Sequence, residues 1–219
     1  MPRAIIAPGE HYHIFNRGIN KGDIFLKRAD YARILFYILH FQSNEVLSNP
    51  LMAINNFMDK ERFGVSKEKL EEIISKRTVE LCAFAIMPNH FHLLVHELKE
   101  GGISFYLQRI ENAFTKYFNI SRERSGYLFQ GPYQSVHVKT NDHLLYLSAY
   151  IHRNPHELDG WNNREQKYFW SSFQDYIGQN RWGELLKPNI IIEQFRNPKE
   201  YLRYVKTSGA KELARADHK

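Results

Sequence analysis

Residues 79–97 read VELCAFAIMPNHFHLLVHE, and the fold turns on how this stretch is taken. VELCAFAIM is an almost unbroken apolar run of strand length, and HFHLLVHEL after it is a second. Only Pro88 and Asn89 separate them, so the pair is read as an antiparallel hairpin with a tight turn. Side chains alternate faces along a strand, which puts His90 and His92 on one side, about 6–7 Å apart, and Phe91 on the other, toward a core. Two imidazoles on one face near the end of a sheet can share a metal ion if a third oxygen or nitrogen ligand lies close by. Without such a ligand they are histidines of an exposed sheet face, or one of them is a hydrogen-bonded core histidine. His96 shares their face but lies too far along the strand to join them.

Outward from the hairpin, HYHIF at 11–15 alternates as a first strand, and NRGINKGD after it has the Gly and Asn of a loop. Asp30 is positioned to cap a helix running to about residue 43, with Ile34, Leu35, Ile38, Leu39 and Phe41 on its apolar face. Residues 44–77 look like an insertion, with one helix in SKEKLEEIISK capped by Ser66. Downstream, Gly101 and Gly102 break the chain, and Ile103, Leu107, Ile110, Phe114 and Tyr117 then recur at helical spacing. YQSVHVK reads as another strand. Asn141 or Asp142 is expected to cap HLLYLSAYIHR, which ends at Asn154-Pro155 because a residue before proline is pushed out of the helical region. The pattern is α+β, a small antiparallel sheet with helices packed on one face. It divides into a domain over 1–180 and a basic helical extension over 181–219. In that extension RNPKEYLRYVK reads either as a basic helix touching DNA or as a packed C-terminal helix.

With 219 residues, 43% of them apolar and 14% aromatic, the chain can bury a real core. No run approaches the ~20 apolar residues of a membrane helix, and the apolar patch in MPRAIIAPGEHYH is too short for a secretion signal. A soluble cytoplasmic protein is expected, with no membrane partner. Cys82 is the sole cysteine, which excludes an intramolecular disulfide and a cysteine-based zinc site. Thirty Lys and Arg against 24 Asp and Glu give +6, a balance that favours phosphate-rich partners.

Tyr150 and Asn154 stand one turn apart on one helix face, with Tyr146 a turn further back. If that face packs toward the histidine end of the sheet, Asn154 can complete a metal site and Tyr150 can reach a substrate held there. Otherwise the tyrosines are ordinary amphipathic core residues. His152 points to a different face.

Five blocks carry a resemblance: HYHIFNRGINKGDIF, AFAIMPNHFHLLVH, YLFQGPYQSVHV, DHLLYLSAYIHRNP and FWSSFQDYIG. In this order, from about residue 11 to 178, they resemble the REP-associated tyrosine transposases, relatives of the IS200-like single-tyrosine HUH (His-hydrophobe-His) transposases. The resemblance implies an HUH endonuclease fold, a ferredoxin-like or RRM-like sheet. It implies that His90 and His92 are metal ligands, Tyr150 the nucleophile, and Asn154 a third polar ligand. Mg2+ or Mn2+ is the implied cofactor.

The implied activity is cleavage and rejoining of single-stranded DNA beside hairpin stems through a 5′-phosphotyrosine. Arg17, Arg122, Arg124, Lys139 and Arg153 are then sensible phosphate contacts, and Phe129 and Tyr133 candidates to stack on bases. Tyr146 is the rival nucleophile. The matched blocks favour a monomer over a dimer that shares helices between sites. One rival reading is a domesticated protein that nicks or binds hairpin DNA without mobilising it; another is a nucleic-acid-binding protein with a degenerate site. A histidine-triad hydrolase is set aside, because Leu94 holds the position of the third histidine.

Overall fold

The computed structural model describes residues 6–209. Strands β1 (His11–Arg17), β2 (Val79–Met87), β3 (His90–Glu97) and β4 (Gln134–His137) form one antiparallel sheet in the order β2-β3-β1-β4. Helices α1 (Arg28–His40), α2 (Pro50–Lys60) and α3 (Lys67–Ser75) lie between β1 and β2, and α4 (Gly102–Ser121) joins β3 to β4. The remainder holds α5 (Asn141–Arg153), α6 (Phe173–Ile177), α7 (Asn189–Ile192) and α8 (Pro198–Thr207). Two interleaved β-α-β units with this strand order make the ferredoxin-like arrangement expected from the sequence.

The near-continuous apolar character of β2 and β3 follows from burial on both faces. Phe84, Ile86, Phe91, Leu93 and Val95 face a core filled by α1, α2 and α4, including Phe36, Phe57, Ile110 and Phe114. The opposite face carries Ala83, Ala85 and Leu94 under Leu147, Ile151, Phe173, Tyr201 and Val205. Helices on one face were expected, and α1–α4 supply them; α5, α6 and α8 add a second layer on the other. A register shift between Leu81 and Ala83 lets Cys82 join this second core, where burial pushes its thiol up to about 12.

Several local expectations change. Thr140, not Asn141 or Asp142, caps α5, its Oγ1 accepting from His143 N at 3.2 Å. α1 ends at His40, and Asp30 is not its cap but lies one turn in, reaching back from the third position to the Leu26 and Lys27 amides at 3.0 and 3.1 Å. Ser66 caps α3 as expected. Residues 44–77, where one helix was expected, hold a second, α2, opened by Asn49 and Pro50. The Gly101-Gly102 break opens α4, as expected, with Gly101 as its N-cap. Glu97 accepts from the Gly102 and Ile103 amides at 3.0 and 2.6 Å, and a Cβ on Gly102 would sit 2.5 Å from the Thr78 carbonyl oxygen.

Asp30 is fully buried (0% exposed) and gathers distant chain segments. Besides the two amides it accepts from Tyr117 Oη at 2.8 Å and from the Arg122 guanidinium at 2.7 Å. Asp30→Asn removes the charge that pairs Arg122 and turns acceptor atoms into a donor group. Unfolding in denaturant is expected to show a loss of about 3 kcal/mol; a loss below about 1 kcal/mol would show that water replaces these contacts.

Candidate active site

The β2–β3 turn is held from three sides. Gly18 N donates to Asn89 O at 2.8 Å, and the Ile24 and Phe25 amides both donate to Pro88 O at 2.9 Å. Asn89 Nδ2 donates to Lys21 O at 2.8 Å. A side chain on Gly18 would collide with the Gly22 carbonyl at 2.4 Å, so the NRG segment needs glycine to fold back onto the turn. The histidines therefore start from a rigid corner.

In the register of the sheet, His90 stands opposite Arg17 and His92 opposite Phe15, so alternation puts His13, Phe15, Arg17, His90 and His92 on one face. The His90 and His92 rings are 5.0 Å apart and nearly perpendicular. Each has its Nδ1 committed. His90 Nδ1 donates to Asn89 Oδ1 at 2.5 Å, and His92 Nδ1 shares a 2.8 Å hydrogen bond with His13 Nε2. The Asn89 amide is oriented by its bond to Lys21 O, which fixes the oxygen toward His90. A cation would then be taken through Nε2 of both rings, the pattern of metal-binding histidines held by outer partners.

α5 crosses this face and delivers Tyr150. Its ring meets His92 edge-on at 5.4 Å and His13 at 5.8 Å. The opposite side of α5 is anchored by His152, whose Nδ1 and Nε2 bond Tyr201 Oη at 2.6 Å and Ser172 Oγ at 2.8 Å. Burial lowers His152 to about 3, so it is a neutral core strut and lies outside the site, as its helix position indicated. Asn154 is buried at the end of α5, its Nδ2 donating to the Tyr150 and Ile151 carbonyls at 2.9 and 3.3 Å. Burial pushes the Tyr150 phenol above its ordinary value; the charge of Glu157 and the Tyr146 phenol act in the same direction, and Arg17 opposes them.

The expected phosphate contacts separate. Arg17 is exposed beside His90 and within electrostatic reach of Tyr150, and Arg153 closes α5 next to Asn154. Arg124 is exposed, its guanidinium donating to Tyr127 O at 2.9 Å. Arg122 is occupied by Asp30 and lies over the Phe118 ring. Lys139 follows β4 where Val138 pairs with His11, so it sits at the opposite end of the sheet from Arg17, about 20 Å away by strand rise. Phe129 and Tyr133, expected to stack on bases, are buried instead: Phe129 packs on Phe91 and Phe114, and Tyr133 Oη bonds Ser104 Oγ at 2.9 Å. The exposed aromatic of that loop is Tyr127, at 84%.

One feature escaped the sequence reading. His13 is visible in hindsight from β1 alternation, but its partner stands 79 positions away. The segment RNPKEYLRYVK packs as a C-terminal helix through Tyr201 and Val205, while Arg196, just before α8, and Lys199, Arg203 and Lys206 on it are exposed, and among the described residues none of these four is in an ion pair.

Among the described residues, no three His, Cys, Asp or Glu side chains gather as a metal site. No helix there is long and apolar enough to cross a membrane. The chain is similar in fold to a solved REP-associated tyrosine transposase bound to a REP hairpin, at 16% identity and a TM-score of 0.50, over 81% of this chain and 84% of that one. No curated protein matches it. Residues 54–154, which carry His90, His92, Tyr150 and Asn154, match the family model described as Transposase IS200 like.

Proposed function

We propose that the protein is a metal-dependent single-strand DNA endonuclease and transposase that cuts and rejoins DNA beside hairpins through Tyr150. The observation that carries this reading is the meeting of Tyr150 with His92 and His13 at the rigid end of the sheet. His90 and His92, through Nε2, and Asn154, through Oδ1, would hold Mg2+ or Mn2+. When bound, such an ion offsets charge developing on the scissile phosphate.

Tyr150 Oη attacks phosphorus: the Oη–P bond forms as the P–O3′ bond breaks, and the departing oxygen takes a proton to become a free 3′-OH. The strand stays on the protein as a 5′-phosphotyrosine, a phosphodiester whose energy is kept for rejoining when a 3′-OH attacks and regenerates the phenol. Arg17 favours loss of the phenolic proton and stands where it can also touch phosphate. His13, His92 and Tyr150 converge within one chain, which supports a monomeric enzyme. The neighbour's REP hairpin supports hairpin DNA as the substrate class. The experiment is incubation with hairpin-bearing single strands and Mg2+ or Mn2+, followed by denaturing electrophoresis. A protein–DNA adduct that needs the ion is expected; cleavage without any adduct would refute the tyrosine mechanism.

The stem needs a phosphate-binding surface, and the four cations at 196–206, three of them on α8, join Arg17 and Arg153 as candidates. Replacing Arg196, Lys199, Arg203 and Lys206 by Ala is expected to flatten the plot of log affinity for a hairpin against log salt by about 3 to 4, near 0.9 per phosphate contact. Arg17→Ala should flatten it by about 1. An unchanged slope in the α8 variant would mark that stripe as a solvated face.

A further inference from the structure

We propose that His13 is the positioning residue of the site: it fixes His92 in the one tautomer that can bind a metal ion through Nε2. The inference rests on the metal-site reading above and concerns a residue outside the ligand set. Its basis is the 2.8 Å contact between His13 Nε2 and His92 Nδ1, made by two side chains that are 8% and 7% exposed.

A neutral imidazole carries its proton on one nitrogen and a lone pair on the other, and the partner of one nitrogen decides the state of both. A metal bond from His92 Nε2 requires the proton on Nδ1. His13 Nε2 must then accept that proton's hydrogen bond, so His13 is itself held with its proton on Nδ1. For His90 the oriented oxygen of Asn89 plays the corresponding part. The same ring supports Tyr150 at 5.8 Å and packs on Phe15 at 4.9 Å, so it also sets the angle at which His92 faces the helix. Outer partners of metal-binding histidines typically change affinity 10–100-fold when removed.

The test uses the full chain without DNA. Mn2+ binding is measured by calorimetry or electron paramagnetic resonance for the wild type, His13→Leu and His13→Gln, and the His92 tautomer is read from 15N-detected histidine spectra. His13→Leu keeps apolar bulk but cannot accept a hydrogen bond. His13→Gln restores an acceptor oxygen and guards against a loss caused by misfolding, with circular dichroism melting as the check. Expected results are a wild-type His92 protonated on Nδ1 before metal is added, about 10–100-fold weaker Mn2+ binding in His13→Leu with a shift of the His92 proton to Nε2, and recovery to within a few-fold in His13→Gln. A wild-type His92 protonated on Nε2, or equal Mn2+ affinity in folded His13→Leu and wild type, overturns the role of His13 alone. Absence of Mn2+ binding in the wild type overturns the metal reading together with it.

Discussion

Tyr150→Phe is expected to lose covalent attachment to DNA altogether, a fall of more than about 10³-fold in single-turnover cleavage, while Tyr146→Phe retains it. The substitution deletes one oxygen and keeps the ring that packs edge-on against His92 and His13, so the fold and hairpin binding should survive. The same phenol governs the pH profile. Burial, Glu157 and Tyr146 hold its pKa above the ordinary 10, so Tyr150 is protonated throughout the neutral range. If the anion is the attacking form, adduct formation rises with pH between about 6 and 9 without levelling off. Arg17→Ala removes the opposing charge and should lower the rate across that range, whereas Glu157→Gln should raise it. A Tyr150→Phe protein that still forms the adduct would assign the chemistry to another residue.

The second large effect concerns the histidine pair. His90→Ala is expected to lower metal-dependent cleavage by about 10³-fold, the scale of several kcal/mol of charge stabilisation. It should do so with little change in melting temperature, because His90 is only half-buried and its partner Asn89 remains tied to Lys21. His92→Ala should match that loss of activity and also destabilise the protein by about 1–3 kcal/mol, since His13 would be left buried without its hydrogen bond to the His92 ring. The two variants thus separate chemistry from packing. Equal melting temperatures with equal activity losses would mean that the His13–His92 contact carries no stability.

What could be read from the chain alone was local. The hairpin declares itself because β2 is apolar but for Glu80, β3 carries FxLLV between its histidines, and only two residues intervene. α4 and α5 are legible from helical spacing, and their ends from Gly101 and Asn154-Pro155. The five ordered blocks then linked Tyr150 to His90 and His92 across some sixty positions, a connection that periodicity could not supply. What stayed hidden depends on pairings between distant segments. Asp30 looks like a cap, and Arg122 like a phosphate contact, until the fold brings them together 92 positions apart. Phe129 and Tyr133 sit in a basic loop that invites a stacking role, yet the Gly18–Phe129 bridge turns that loop inward and buries them. His13 gains its meaning only from the β1–β3 register. The second helical layer was missed because its buried side meets alanines on β2, which carry little hydrophobic signal of their own.

The most direct test of the account locates the covalent bond. The adduct formed on a hairpin-bearing single strand is trimmed with nuclease and digested with trypsin, and the peptide spanning residues 140–153 is fragmented to separate Tyr146 from Tyr150. The account predicts a nucleotide joined through its 5′-phosphate to Tyr150. A nucleotide on Tyr146 or on any other residue, or one attached through a 3′-phosphate, would contradict it.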